Sequence, residues 1–299
     1  MERKSLWGAH LFIPGNKAGF LCKLPVLNVK NIIIDLEFAT KFPFKTEARY
    51  LTRNAISYIR SVRPDINTCI RINLSSTGKL QQDDIEIVAK KQPDSIRVPS
   101  VNNADEIKFI DETLTKIERE NQLEIGSIKL HPMIETPLGL THISEIVEAS
   151  PRIEAIAFGG EDWAQNCGLL RTKLGHELEH IKFEMVTAAA EHKIFAIDSV
   201  FSFLDDKEGL IHDCKNSRII GFKARATINP RQLEIINRIY SPSQTEIKWA
   251  ESIINNLTEI KLGNKINYIS NGIIMDPLAI NQARNIIKES EEVRINGIN

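Results

Sequence analysis

Cysteine is scarce in this chain: Cys22, Cys69, Cys167 and Cys214 stand far apart among 299 residues and form no CxxC pair. That excludes a disulfide-built miniprotein and reads as four reduced thiols of a cytoplasmic protein. An excess of charge of one sign is missing too. Lys+Arg is 38 and Asp+Glu is 39, a net charge of −1. Neither a nucleic acid nor a membrane surface is implied as a partner. No apolar run reaches the ~18 residues of a transmembrane helix. The N-terminus lacks the apolar stretch of a signal peptide. No GxGxxG follows the first apolar run, which argues against a dinucleotide-binding fold. There is no internal repeat and no low-complexity stretch. What is present is ordinary globular composition, 42% hydrophobic and 26% charged, which excludes a disordered or fibrous chain.

Eight short apolar runs punctuate the first 222 residues: 9–13, 31–35, 68–73, 95–99, 128–134, 153–158, 194–198 and 218–222. Each is rich in Ile, Val or Phe, as buried parallel strands are. Helical spacing lies between most of them, over 46–63, 103–121 and 176–192. Such alternation means right-handed crossovers and a parallel sheet. Eight units predict a closed (β/α)8 TIM barrel. A doubly wound open sheet is the alternative, since periodicity cannot register closure. Helices are expected near 230–240, 244–260 and 278–292, with a strand-like stretch at 266–269. The division is a barrel over 1–240 and a C-terminal helical extension, or lid, over 241–299.

Barrel active sites form at the C-terminal ends of the strands. Here those ends carry Asp35 and Glu37, Arg71 and Asn73, Glu135, Gly159-Gly160-Glu161-Asp162, and Asp198. Crowded carboxylates repel and desolvate at a cost unless a cation neutralises them. Oxygen donors without His or Cys favour a hard ion such as Mg2+. Glu135 and Asp162 are the best ligands, each one step past a buried strand; Asp162 also suits a helix cap. Arg71 sits in an apolar run and needs a partner. Its fork fits a carboxylate or an enolate oxygen pair, or equally an ion pair with Asp35 or Glu37.

These residues resemble the citrate lyase β-subunit family, within the wider group of malyl-, citramalyl- and citryl-CoA lyases. The resemblance runs from about Leu11 to Ala283. It rests on Leu11-Phe12-Ile13-Pro14-Gly15-Asn16, Asp35-Leu36-Glu37 with Lys45 and Ala48-Arg49, and Arg71-Ile72-Asn73. It continues through Glu135-Thr136-Pro137, Gly159-Gly160-Glu161-Asp162, Ala196-Ile197-Asp198 and Gly272-Ile273-Ile274-Met275-Asp276. The resemblance implies a (β/α)8 barrel, a homo-oligomer (trimer or hexamer), Mg2+, and an acyl-CoA or 2-oxo-acid substrate. Glu135 and Asp162 would bind the metal, and Asp35 and Glu37 would order water around it. Arg71, with Gly160 and Glu161, would hold the oxo acid. Asp276 would act as the lid acid/base that a neighbouring subunit delivers; it also suits an N-cap ahead of Pro277.

Departures from the family pattern fall at Gly8, Phe38, Ser100, Phe203, Ala224-Arg225 and Asn229. Gly8 and Ser100 replace cations, which leaves the acyl group and the need for CoA open. The main expectation is a Mg2+-dependent carbon–carbon lyase acting on a 3-hydroxyacyl-CoA. The alternatives are a CoA-independent 2-oxo-acid aldolase and a non-catalytic paralogue that only binds Mg2+ and an oxo acid. His131 reads as a core histidine, and His176 with His180 as a solvated helix face. Trp163 reads as pocket wall or packing. Lys17, Lys45 and Arg49 suit CoA phosphates or ordinary ion pairs.

Overall fold

The computed structural model describes residues 4–260, 268–270, 273–275 and 277–295. Eight parallel strands close on themselves: β1 (Gly8–Pro14), β2 (Asn31–Asp35), β3 (Asn67–Arg71), β4 (Ser95–Val98), β5 (Lys129–Ile134), β6 (Ala155–Phe158), β7 (Phe195–Asp198) and β8 (Ala224–Thr227). β8 pairs with β1 through Gly8↔Ala224 to Leu11↔Thr227, which settles closure. The connecting helices are α1 (Ala18–Leu21), α2 (Lys45–Val62), α3 (Lys79–Val88), α4 (Ala104–Glu120), α5 (Pro137–Thr141), α6 (Ile143–Glu148), α7 (Gly160–Asn166), α8 (Glu179–Glu191) and α9 (Lys207–Ile220). After β8 come α10 (Leu233–Tyr240), α11 (Gln244–Ile260), an antiparallel hairpin β9 (Tyr268–Ser270) and β10 (Ile273–Met275), and α12 (Pro277–Ile295).

Period-two alternation divides the apolar residues between two cores. On β2, Ile32 and Ile34 join the layer beneath the helices, while Ile33 points inward with Cys69 and Ala226. The helices supply the matching stripe: Ile107, Ile110, Leu114 and Ile117 of α4 are buried. Their starts are written locally. The Asn103 side chain accepts from the Glu106 N–H at 3.1 Å, and Thr136 Oγ1 from the Gly139 N–H at 3.0 Å, ahead of Pro137. Each such cap stabilises by about 1 kcal/mol.

The eighth strand corrects the sequence reading. Residues 218–222 are the end of α9 and its cap, not a strand. Ile219 and Ile220 form the last helical turn, with Ile219 exposed, and Gly221 stops it at φ +125°. A Cβ there would stand 2.7 Å from Val186 Cγ1. The true strand, Ala224-Arg225-Ala226-Thr227, is buried but carries an arginine and no β-branched aliphatic residue. Its burial comes from its place in the closed sheet, so hydropathy misses it.

α11 and α12 pack on each other through Ala250, Ile253 and Ala283. Among the described residues no helix is long and apolar enough to cross a membrane.

Candidate active site

A cavity of 720 Å³ opens where the barrel strands end, lined by Phe12, Asp35, Glu37, Arg71, Gly159 and Asp162 among others. β2 and β3 run in register, with Asp35 opposite Arg71. Arg71 Nε and Nη2 donate to Asp35 Oδ1 and Oδ2 at 2.8 and 2.7 Å, and Nη1 lies 3.1 Å from Glu37 Oε2. Its guanidinium stacks on Phe12, 4.8 Å from the ring centroid. Asp35 also accepts from the N–H groups of Glu37 and Ala39, so its oxygens take four hydrogen bonds in all. Burial alone would raise the Asp35 pKa; Arg71 and the backbone donors hold it below the ordinary value. Burial works against the Arg71 cation, yet Asp35, Glu37 and Glu135 hold its pKa above normal. Asp35 therefore anchors Arg71 and leaves the remaining guanidinium N–H groups for a ligand.

Lys45 fixes the loop that carries Glu37. Its ammonium donates to Leu36 O, Glu37 O and Asn73 Oδ1, each at 2.7 Å. Arg49 pairs with buried Asp84 at 2.6 Å. Both cations are committed to the wall, Arg49 through the expected ion pair and Lys45 through carbonyl and amide oxygens instead.

Glu135 is the most perturbed carboxylate of the site. Oε2 accepts from Ser100 Oγ at 2.6 Å and Ser100 N at 3.0 Å, while Oε1 is buried with no partner. Burial pushes the carboxyl up to about 7, and the charges of Asp162 and Glu37 push the same way. Burial likewise raises Glu37. Gly159 stands against Glu135, where any Cβ would run into the carboxylate. Asp162 lies in the first turn of α7, exposed toward the mouth. Among the described residues no three His, Cys, Asp or Glu side chains form a ready-made cage. Two carboxylates with an orphaned buried oxygen still fit a hard cation that takes its other ligands from water and substrate. Oxygen donors alone suit Mg2+.

Other sequence candidates fall differently. Asp198 is buried in an ion pair with Arg225 and bonds Lys182 at 3.1 Å, so its charge is spent inside the wall. Glu161 lines the cavity, but its Oε1 accepts from Ser202 Oγ at 2.7 Å and Arg171 Nε at 3.1 Å. Gly160 also lines the cavity, and a Cβ there would sit 2.8 Å from Ser199 Oγ. Gly8 begins β1 at the barrel's far end, at φ +83°, where a Cβ would meet Asn237 Oδ1 at 2.6 Å. The missing cation there does not bear on the mouth. Asn229 caps a turn, accepting from the Arg231 N–H at 3.0 Å. His131 is a core histidine, held by Glu154 at 3.1 Å and Cys69 at 3.8 Å. His176 is exposed and pairs with Glu179, and Trp163 packs in the core. Asp276 lies outside the described residues. Ser100, in sequence only a lost cation, grips Glu135, and Arg97 of β4 lines the cavity with no signal in the sequence to mark it.

A closed β/α barrel with an anchored arginine, carboxylates where its strands end and an orphaned buried oxygen on Glu135 is the scaffold of an enzyme. Residues 9–230 match the family described as HpcH/HpaI aldolase/citrate lyase, and the chain belongs to that family. Citrate lyase subunit beta of Haemophilus influenzae is 30% identical over 283 residues, covering 94% of this chain and 96% of that protein. Human mitochondrial citramalyl-CoA lyase is 27% identical over 296 residues, covering 96% and 86%. The crystal structure of CitE from Mycobacterium tuberculosis, in complex with magnesium, acetoacetate and coenzyme A, superposes with a TM-score of 0.75 at 21% identity, covering 96% and 99%. The chain is an enzyme of the carbon–carbon lyase type.

Proposed function

We propose that this enzyme cleaves, or forms in reverse, a 3-hydroxyacyl-CoA at a Mg2+ site built on Glu135 and Asp162. The observation that carries the reading is Glu135, a buried carboxylate with an orphaned oxygen beside Asp162 and the anchored Arg71. Bound there, Mg2+ supplies Lewis-acid polarisation of an oxo acid's carboxylate and carbonyl oxygens. Arg71 faces the same oxygens and adds fixed positive charge where negative charge develops. Asp35 keeps its fork in place, and Glu37 is left to order water around the cation. Ser100 holds Glu135 so that Oε1 is the free oxygen. Gly160 and Glu161 form the wall beside the oxo acid. Asp276 is the acid/base that moves a proton at the acetyl methyl carbon. Its expected signature is that Asp276→Asn spares oxo-acid binding and cuts turnover.

The same reading includes the boundary near residue 240 between barrel and lid, and a cytoplasmic homo-oligomer. The test is acetyl-CoA release from citramalyl-, malyl- and citryl-CoA, each with Mg2+ and with chelator. Chelator-sensitive release from one of them supports the lyase and names the oxo acid. Formation of an oxo acid from the free hydroxy acid alone, with no acetyl-CoA from any of the thioesters, would favour a CoA-independent aldolase. No release from folded protein would favour the non-catalytic paralogue.

A further inference from the structure

A second guanidinium stands in the cavity, and nothing in the reaction above uses it. Arg97, on β4, lines the cavity and is 1% exposed. Its Nε and Nη2 are buried without a hydrogen-bond partner. The other deeply buried arginines behave differently. Arg49 is held by Asp84, Arg152 by Asp111 and Glu118, and Arg225 by Asp198 and Asp213. The fold supplies carboxylates to buried arginines as a rule and withholds one here. An unpaired buried cation is costly, and an unsatisfied buried group calls for an explanation.

Its position supplies one. Arg97 and Arg71 stand over the same Phe12 ring, 5.9 and 4.8 Å from its centroid. Arg71 is committed to Asp35 and Glu37; Arg97 is not committed. The cavity neighbours Met133 and Ala226 are apolar. Cys69 and Glu135 act on Arg97 through charge, but Cys69 bonds His131 and Glu135 bonds Ser100. A planar fork with free N–H groups matches a carboxylate bidentately.

We propose that Arg97 is the specificity-determining residue of the cavity, receiving a second carboxylate carried on the oxo-acid fragment. This rests on the oxo-acid reading above. The preferred acid is then dicarboxylic, with one end facing Arg71 and the cation site and the other facing Arg97.

The test is calorimetry of the intact protein in Mg2+, with oxaloacetate and with pyruvate, for wild type, Arg97→Met and Arg97→Lys. Wild type binds oxaloacetate more tightly, by about tenfold or more, as expected for a charge-assisted pair in a buried site. Arg97→Met loses that advantage and keeps pyruvate within about twofold, and Arg97→Lys, which keeps the charge without the fork, recovers part. Equal wild-type affinity for the two acids, or equal weakening of both in Arg97→Met, overturns the proposal and leaves the oxo-acid reading standing. Wild type that binds neither acid in Mg2+ overturns both. If Arg97→Met fails to melt cooperatively, the wild-type ratio and Arg97→Lys decide.

Discussion

Glu135 sets a cost against a function. Its folded pKa of about 7 lies above the ordinary carboxylate value of 4.5. In chelator below pH 4.5 both folded and unfolded chains hold the proton, and the site costs nothing. As pH rises through 7, the unfolded chain has given up a proton that the folded site kept, so stability falls. The full loss, present above 7, is about 3 kcal/mol. Glu135→Gln should therefore raise the melting temperature of chelator-treated protein at pH 8 and leave it unchanged near pH 4. It should also abolish Mg2+-dependent oxo-acid binding. A variant no more stable than wild type at pH 8 would contradict the burial of an uncompensated carboxylate. Ser100→Ala removes the 2.6 Å hydrogen bond to Oε2 and should weaken Mg2+ binding about tenfold, read by calorimetry. Glu135, Asp162 and Arg71 are legible in sequence because a charge at the end of an apolar run has few explanations. Ser100 is not legible, since its role depends on φ +46° and a partner 35 residues away. Arg97 looks in sequence like any charge in a short strand; only its missing partner marks it.

Elements tell a different part of the story. β7 and β8 are joined by the buried Asp198–Arg225 pair as well as by their ladder. Asp198→Asn leaves Arg225 with only Asp213 and should cost roughly 3 kcal/mol in denaturant melts, with turnover per folded molecule retained. Loss of turnover without loss of stability would return Asp198 to the active site. Gly221→Ala forces a Cβ into a left-handed position against Val186 and should cost roughly 1–3 kcal/mol. Seven strands and the helices α2, α4, α8, α10, α11 and α12, though not the 14-residue α9, were readable because their apolar periodicity is local. β8 was not, because its burial is imposed by closure of the barrel, and the Ile219-Ile220 run beside it belongs to α9. Asp198 was misplaced in the ring of carboxylates for a related reason. Its partners, Arg225 and Lys182, come from other elements, and sequence order does not bring them together.

At the scale of the whole molecule, the barrel gathers side chains from separate strands around one cavity, and under the proposed function a cation at Glu135 and Asp162 would balance carboxylates that otherwise repel. Phe38, Phe42 and Phe44 follow β2 near the mouth and are 84%, 68% and 52% exposed. Under the proposed homo-oligomer these rings are candidates for burial between subunits. Light scattering should give a trimer or hexamer; a monomer at micromolar concentration would contradict the expected assembly. The central claim is that carbon–carbon cleavage takes place at the mouth carboxylates. It is tested most directly by acetyl-CoA release in Mg2+, comparing wild type with Asp162→Asn at matched melting temperature. The account predicts chelator-sensitive release by wild type and loss of at least about a hundredfold in the variant. Release that ignores both chelator and Asp162→Asn would place the chemistry elsewhere in the chain.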